Sequence, residues 1–191
     1  LDRVELGGGH ALTGVFLGIS ATEFMSVLAA TPAGGSVYIA TGVCVPISSG
    51  RLSYVLGLHG PCCSYDTACS AALVACHSGL RALQLNECAS GLVTGVCLMM
   101  APGVGTSFAI AGMTSVHGRS YTFDARADGY ARGEACGAVA LQFVTDEAEL
   151  GVIGSAVRQD GRSASLTAPN GQAQIGLLRA AFADADITAD E

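Results

Sequence analysis

Lysine and tryptophan are both absent from these 191 residues, and charge of either sign is scarce. The 9 basic residues are all arginine, 13% of the chain is charged, and the net charge is -7. This excludes a basic nucleic-acid footprint, because no cluster of cations exists to neutralise phosphates. Aromatic residues make up 6%, too few for the stacking platforms that hold single strands. Low charge with 50% hydrophobic residues also excludes intrinsic disorder, which needs the opposite balance. What is there instead is glycine, 26 residues of it, in a Gly- and Ala-rich chain that reads as an α/β protein.

Long clean apolar runs are missing too. Cys88 to Gly118 and Phe24 to Gly50 carry no Asp, Glu, Lys or Arg. A spanning helix needs about 20 mostly apolar residues. The first stretch is interrupted by Gly91, Gly95, Pro102, Gly103, Gly105 and Gly112, and the second by Pro32, Gly34, Gly35 and Pro46. No membrane span is expected. The chain opens Leu1-Asp2-Arg3, without an initiator Met or a charged-then-apolar signal, and reads as starting in mid-protein.

The 8 cysteines are Cys44, Cys62, Cys63, Cys69, Cys76, Cys88, Cys97 and Cys136. No Cys-x-x-Cys pair occurs and no histidine stands at zinc-finger spacing, so no metal site is expected. Secreted disulfide frameworks belong to short, polar, loop-rich chains, which this is not. Most of these thiols read as small apolar fillers in a reduced compartment.

The pattern alternates between strands and helices. Strands are expected at Gly14 to Ile19, Cys62 to Thr67, Leu92 to Met100, Ala135 to Val144 and Val152 to Val157. Helices are expected from a cap at Ser20 or Thr22 to about Ala30, at Ser70 to Leu85, and at Gln172 to Asp184. Near-continuous apolar strands separated by helices indicate a sheet covered on both faces. The one boundary signal is the acidic stretch Thr145 to Gly151.

In the helix after Cys69, the polar residues Ser70, His77, Arg81 and Gln84 make one narrow stripe. Cys69, Ala72, Leu73, Cys76, Leu80 and Leu83 fall on the opposite side, the expected buried face. This puts a thiol at a helix N-terminus, directly after a strand. Orphan N–H groups and the positive dipole end favour an anion there, and a cysteine so placed can react as a nucleophilic thiolate. The alternative is a structural cysteine in a strand–helix turn.

The neighbours carry a resemblance. Gly60-Pro61 followed by Asp66-Thr67-Ala68-Cys69-Ser70-Ala71-Ala72-Leu73-Val74-Ala75 closely resembles the active-site segment of β-ketoacyl synthases. The form is that of the ketosynthase domain of modular polyketide synthases and multifunctional fatty acid synthases. Gly50-Arg51-Leu52-Ser53-Tyr54 stands before it; Phe123-Asp124, Ala127-Asp128-Gly129-Tyr130 and Gly133-Glu134 stand after it. Gln159-Asp160-Gly161-Arg162 and Thr167-Ala168-Pro169-Asn170-Gly171 continue the match in order, from about Gly14 to the end.

The resemblance implies a thiolase-like α/β fold, an αβαβα layered sandwich of two similar halves. Residues 1–144 would be the N-terminal half, 145–151 a connector, and 152–191 the start of the C-terminal half. Cys69 would be the nucleophile, accepting an acyl chain from the phosphopantetheine thiol of an acyl carrier protein. Decarboxylation of a malonyl-type extender would then supply the carbanion that condenses with it. The Cys69 N–H would be one oxyanion donor, Cys62 to Thr67 would lie at a homodimer interface, and no cofactor would bind directly. The location implied is the cytoplasm, or an organelle such as a plastid. Substrate-binding residues are not indicated.

The family also uses two histidines, one in a His-Gly-Thr-Gly-Thr motif and one following a Lys-containing segment. Neither motif is here, and His10, His59, His77 and His117 match neither. His77 lies eight residues from Cys69, about 12 Å along a helix, too far for a hydrogen bond. The chain is therefore expected to be an internal piece of a synthase, inactive in condensation alone. Ala71 and Ala72 replace serines, Ala135-Cys136 replaces Gly-Ala, Arg158 replaces asparagine, and the connector is short. Asp124, Asp128 and Glu134 read as loop-holding residues in preference to a metal or acid–base cluster, and Asp66 as a turn support. A fatty acid synthase condensing domain, a cysteine acyltransferase or hydrolase, and a non-catalytic interaction module remain as alternatives.

Overall fold

The computed structural model describes residues 12–20, 23–143 and 150–188. The chain divides into two units, Leu1–Leu141 and Gln142–Glu191. The first unit is organised around β1 (Thr13–Ile19), a run of small and apolar residues buried along nearly its whole length. A strand without polar alternation must be covered on both faces. α1 (Glu23–Ala29), a 3-10 turn (Pro32–Gly35), the single-turn α2 (Ile39–Gly42) and α3 (Val45–Leu56) lead from it to β2 (Cys62–Tyr65). α4 (Ala71–Gln84) joins β2 to β3 (Ser90–Cys97), and α5 (Pro102–Ile110) precedes β4 (Ala135–Leu141). The sheet order is β2-β1-β3-β4; β1 pairs in parallel with β2 and β3, and β4 is antiparallel to β3.

Alternation along β1 decides which helix covers which face. Val15 pairs with Cys62 and Leu17 with Ser64, and on that face Ser64 Oγ donates to Ser49 Oγ of α3 at 3.0 Å. Phe16 points the other way, into a core with Ala75, Ala82, Leu83, Cys88 and Val93 under α4. Gly18 shares the Phe16 face, and a Cβ there would lie 2.4 Å from the Ala72 backbone nitrogen. Only glycine lets the start of α4 lie so close to β1.

That closeness corrects the expected face of α4. Its buried residues are Ala71, Ala75, Gly79, Ala82 and Leu83, whereas Leu73 is 75% exposed and Ala72 is open. A helix whose first turns lie against the sheet backbone buries its smallest side chains there and turns Leu73 away; only further along, at Leu83, is a large side chain buried, as expected.

β1 and β3 begin earlier than expected, at Thr13 and Ser90, but three strands end sooner. β3 stops at Cys97 instead of Met100, because the next backbone donors are taken by carboxylates: Glu134 accepts the Met99 N–H at 2.6 Å, and Glu23 those of Met100 at 2.5 Å and Ala101 at 3.2 Å. β2 stops at Tyr65 instead of Thr67, where Asp66 begins a turn. β4 ends at Leu141, and Val144 lies outside the described residues, as does Thr22. The apolar pattern does not predict α3 and α5. Both carry proline in the first turn, where it starts a helix as readily as it breaks one.

In the second unit, Val152 to Val157 forms no strand, correcting that expectation. A strand needs a ladder partner, and here the Ser155 N–H instead donates to the Asp184 carboxylate at 2.8 Å. α6 (Gly171–Ala185) is capped by Asn170, whose side chain accepts from the Gln172 and Ala173 N–H groups. The Asn170 side-chain amide donates to the carbonyls of Asp160 and Arg162, and Asp160 accepts the Asn170 N–H at 2.9 Å. The two sequence motifs of this region are thus tied to one another.

Candidate active site

Cys69 stands on the turn between β2 and α4, immediately before the N-cap Ser70. The turn is built locally. Asp66 Oδ1 accepts the Ala68 N–H at 3.2 Å, so Asp66 holds the turn, as expected of it. Ser70 Oγ donates to the Thr67 carbonyl at 2.9 Å, and the Ala71 N–H donates to the Ala68 carbonyl at 3.1 Å. Between them Ala68 is left-handed, with φ 53°, a conformation unfavourable for any residue with a Cβ. Strain of this kind concentrates where a side chain must be presented, not packed. Cys69 is exposed, and its thiol is free like the other cysteines of the chain.

The thiol opens on a cavity of about 1000 Å³. Its walls include Ala72 and Cys76 of α4, Gly95 of β3, Phe108 of α5, and Tyr130. They are mostly apolar, and among the described residues the only charged ones are Glu23 and Arg132. Such a space suits an apolar chain attached at Cys69. Cys76 and Cys97 also line the cavity and Cys88 is buried elsewhere in the core, but only Cys69 stands on the turn at the start of α4; burial pushes both the Cys76 and Cys88 thiols above the usual thiol range.

No histidine lines this cavity among the described residues. His77 is half-buried further along α4, and His10 lies outside the described residues. Asp124, Asp128 and Glu134 do not converge. Asp124 is bonded to Arg126 (Nε at 3.0 Å), which holds its carboxyl below the usual carboxylate range. Asp128 is likewise lowered, by the Ser115 hydroxyl, and Glu134 is committed to the Met99 N–H. Each holds a piece of loop.

Residues 2–147 match the family described as Beta-ketoacyl synthase, N-terminal domain. The chain belongs to the β-ketoacyl synthase family. It is 39% identical, over 98% of its length, to the Spectinabilin polyketide synthase system protein NorC of Streptomyces orinoci, and covers 9% of that protein. It is 41% identical, over 97% of its length, to one component of the phenolphthiocerol/phthiocerol polyketide synthase of Mycobacterium tuberculosis, and covers 12% of that protein. Among solved structures, the ketosynthase from module 6 of the bacillaene synthase from Bacillus subtilis 168 superposes with a TM-score of 0.81 at 34% identity. That match takes in 94% of this chain and 31% of the other. The chain therefore spans about a tenth of these synthase proteins and about a third of that ketosynthase. Its fold is the thiolase-like α/β fold of ketosynthases.

The residues that sequence reasoning missed in this β-ketoacyl synthase chain are Glu23, Phe108 and Arg132. Glu23 is 8% exposed, and its Oε1 lies 3.8 Å from an Arg132 guanidinium nitrogen. The guanidinium stands over the Phe108 ring, 5.5 Å from its centroid. One signal was present: Glu23 is the last charge before the uncharged run Phe24 to Gly50.

Proposed function

We propose that this chain is the cysteine-bearing part of a ketosynthase domain in a modular polyketide synthase, with Cys69 as the acyl-accepting nucleophile. The observation that carries this is Cys69 itself, raised on a left-handed turn ahead of α4 and facing a large apolar cavity. In the first step the Cys69 thiolate attacks the carbonyl of an acyl thioester on the phosphopantetheine arm of an acyl carrier protein. The arm leaves as a thiolate and takes up the proton that the Cys69 thiol gave up, and the acyl chain stays on Cys69. In the second, a malonyl-type thioester loses CO2, and the resulting carbanion attacks the acyl-Cys69 carbonyl. A carbon–carbon bond forms, the bond to sulfur breaks, and Cys69 is released. The Cys69 N–H is one donor to the oxyanion in both steps. The polyketide assignment over a fatty acid synthase follows the relatives, which are polyketide synthase proteins.

Residues 1–144 then make the N-terminal half of the domain, 145–151 the connector and 152–191 the start of the C-terminal half. β2 is an edge strand, with Cys62 and Cys63 exposed. An edge of this kind pairs with a second copy across a twofold axis, which supports the segment Cys62 to Thr67 as the homodimer seam. No helix among the described residues is long and apolar enough to cross a membrane; the cytoplasm as the place of action is part of the same proposal.

The experiment is to incubate the full-length protein with an acyl-carrier thioester and map the acylated residue by mass spectrometry. Acylation at Cys69 that clears when a malonyl carrier is added, with release of CO2, supports condensation. Acylation that clears by water alone, without the malonyl carrier, points to a hydrolase. No adduct at Cys69 overturns the reading.

A further inference from the structure

We infer that Glu23 and Arg132 set the charge selectivity of the acyl cavity, Glu23 as the positioning residue that keeps the Arg132 guanidinium pinned and neutralised at the wall. The inference rests on Cys69 being the acyl-accepting residue. Four observations lead to it. Among the described residues, these two are the only charged side chains on the cavity wall. Glu23 Oε2 is committed to the backbone donors of Met100 and Ala101 ahead of α5, while Oε1 is buried with no hydrogen-bond partner. A carboxylate oxygen stripped of water needs a compensating charge, and Arg132 at 3.8 Å is the cation there. Arg132 in turn packs on α5, over Phe108 and against Gly105, where a Cβ would come 2.9 Å from its Nη1.

The consequence is a cavity that holds a cation without presenting it. With Glu23 charged, the pair is neutral and the wall reads as apolar to an incoming chain. With Glu23 replaced by an uncharged side chain, the guanidinium keeps its charge and loses its counterion. Its preferred partner then becomes any carboxylate that reaches the wall. Substrates of the cavity are therefore acyl chains without a free distal acid group, and the pair is what excludes the acid.

The test uses the full-length protein and two thioesters of N-acetylcysteamine matched in length, one hexanoyl and one adipoyl, which ends in a carboxylate. The rate of Cys69 acylation by each is followed by mass spectrometry. The native protein is expected to prefer hexanoyl. Glu23→Gln keeps an acceptor for the Met100 and Ala101 donors and should move the adipoyl-to-hexanoyl ratio toward adipoyl by about tenfold. Adding Arg132→Gln should return the ratio to the native value. Arg132→Gln alone leaves a bare carboxylate at the wall and should lower the ratio by a similar factor, so the prediction stands even where Glu23→Gln does not fold. A ratio that stays within about twofold of native in both single variants, while native Cys69 is acylated, overturns the inference alone. Failure of native Cys69 to take up either thioester overturns the functional reading, and this inference with it.

Discussion

A Cβ placed on Gly18 would sit 2.4 Å from the backbone nitrogen of Ala72. The strand at the centre of the sheet and the helix that follows Cys69 are therefore in backbone contact, and the nucleophile's position is set by one missing methyl group. Gly18→Ala must push the first turn of α4 outward. Overpacking of this kind costs about 1–3 kcal/mol. Acylation of Cys69 should fall by more than the loss of stability explains, because the turn moves with the helix. Thermal melts and the acylation rate, measured on the same preparation, check this. Gly103→Ala in α5, where nothing lies within 4 Å, is the control and should leave both unchanged or slightly raise stability.

Ala68 offers the opposite case. Its φ of 53° is a left-handed conformation that a Cβ opposes by about 1–2 kcal/mol. Ala68→Gly should keep Cys69 reactive and raise the melting temperature, while the β-branched Ala68→Val should lower both stability and acylation. Equal effects from glycine and valine would show that the turn is not held in this conformation.

Asp66 tests the same turn through its hydrogen bond. Asp66→Asn retains an acceptor for the Ala68 N–H and should acylate at close to the native rate. Asp66→Ala removes it, at a cost of about 1 kcal/mol, and should slow acylation. A large loss in Asp66→Asn would instead assign the carboxylate a proton-transfer role, read as a changed pH profile.

Burial favours the neutral form of the Cys76 and Cys88 thiols, so their folded-state values lie above the unfolded ones. The stability this contributes is complete below the unfolded thiol value and is lost as pH rises through the folded values. The urea midpoint should therefore fall as pH rises above the unfolded thiol value, about 8.5, and fall less steeply in Cys76→Ala. Iodoacetamide mapping at neutral pH should label the exposed Cys69 well before the buried Cys88, with the difference abolished in urea.

The 191-residue chain alone should give no condensation product with acyl and malonyl carriers, since neither family histidine motif is within it. Chromatographic detection of an elongated thioester would refute this.

What can be read from the sequence is local. The turn at Asp66 to Ser70 and the helix after it are written in adjacent residues, and so is the Asn170 cap of α6. What cannot be read depends on residues distant in the chain meeting in space. Nothing near Met99 says that its N–H will be claimed by Glu134, or that Glu23 will take the next two. That is why the apolar pattern carries β3 on to Met100. The face of α4 escapes the pattern for a related reason. Apolar size is a sound guide to burial when a helix packs at ordinary distance, and fails when glycine brings it onto the sheet. Pro46 and Pro102 read as interruptions of apolar runs, although each lies in the first turn of a helix.

The carboxylates at the end of β3 have one more effect. Sheets grow by presenting bare amide groups to the next segment that arrives, and the open end of a strand is where stray chain would be most tempted to add itself. At Met99, Met100 and Ala101 those groups are already occupied. A foreign strand settling there would find no rung to hold, so β3 is closed to pairing beyond its end, while the apolar hollow that it lines stays open to a ligand that needs no backbone pairing.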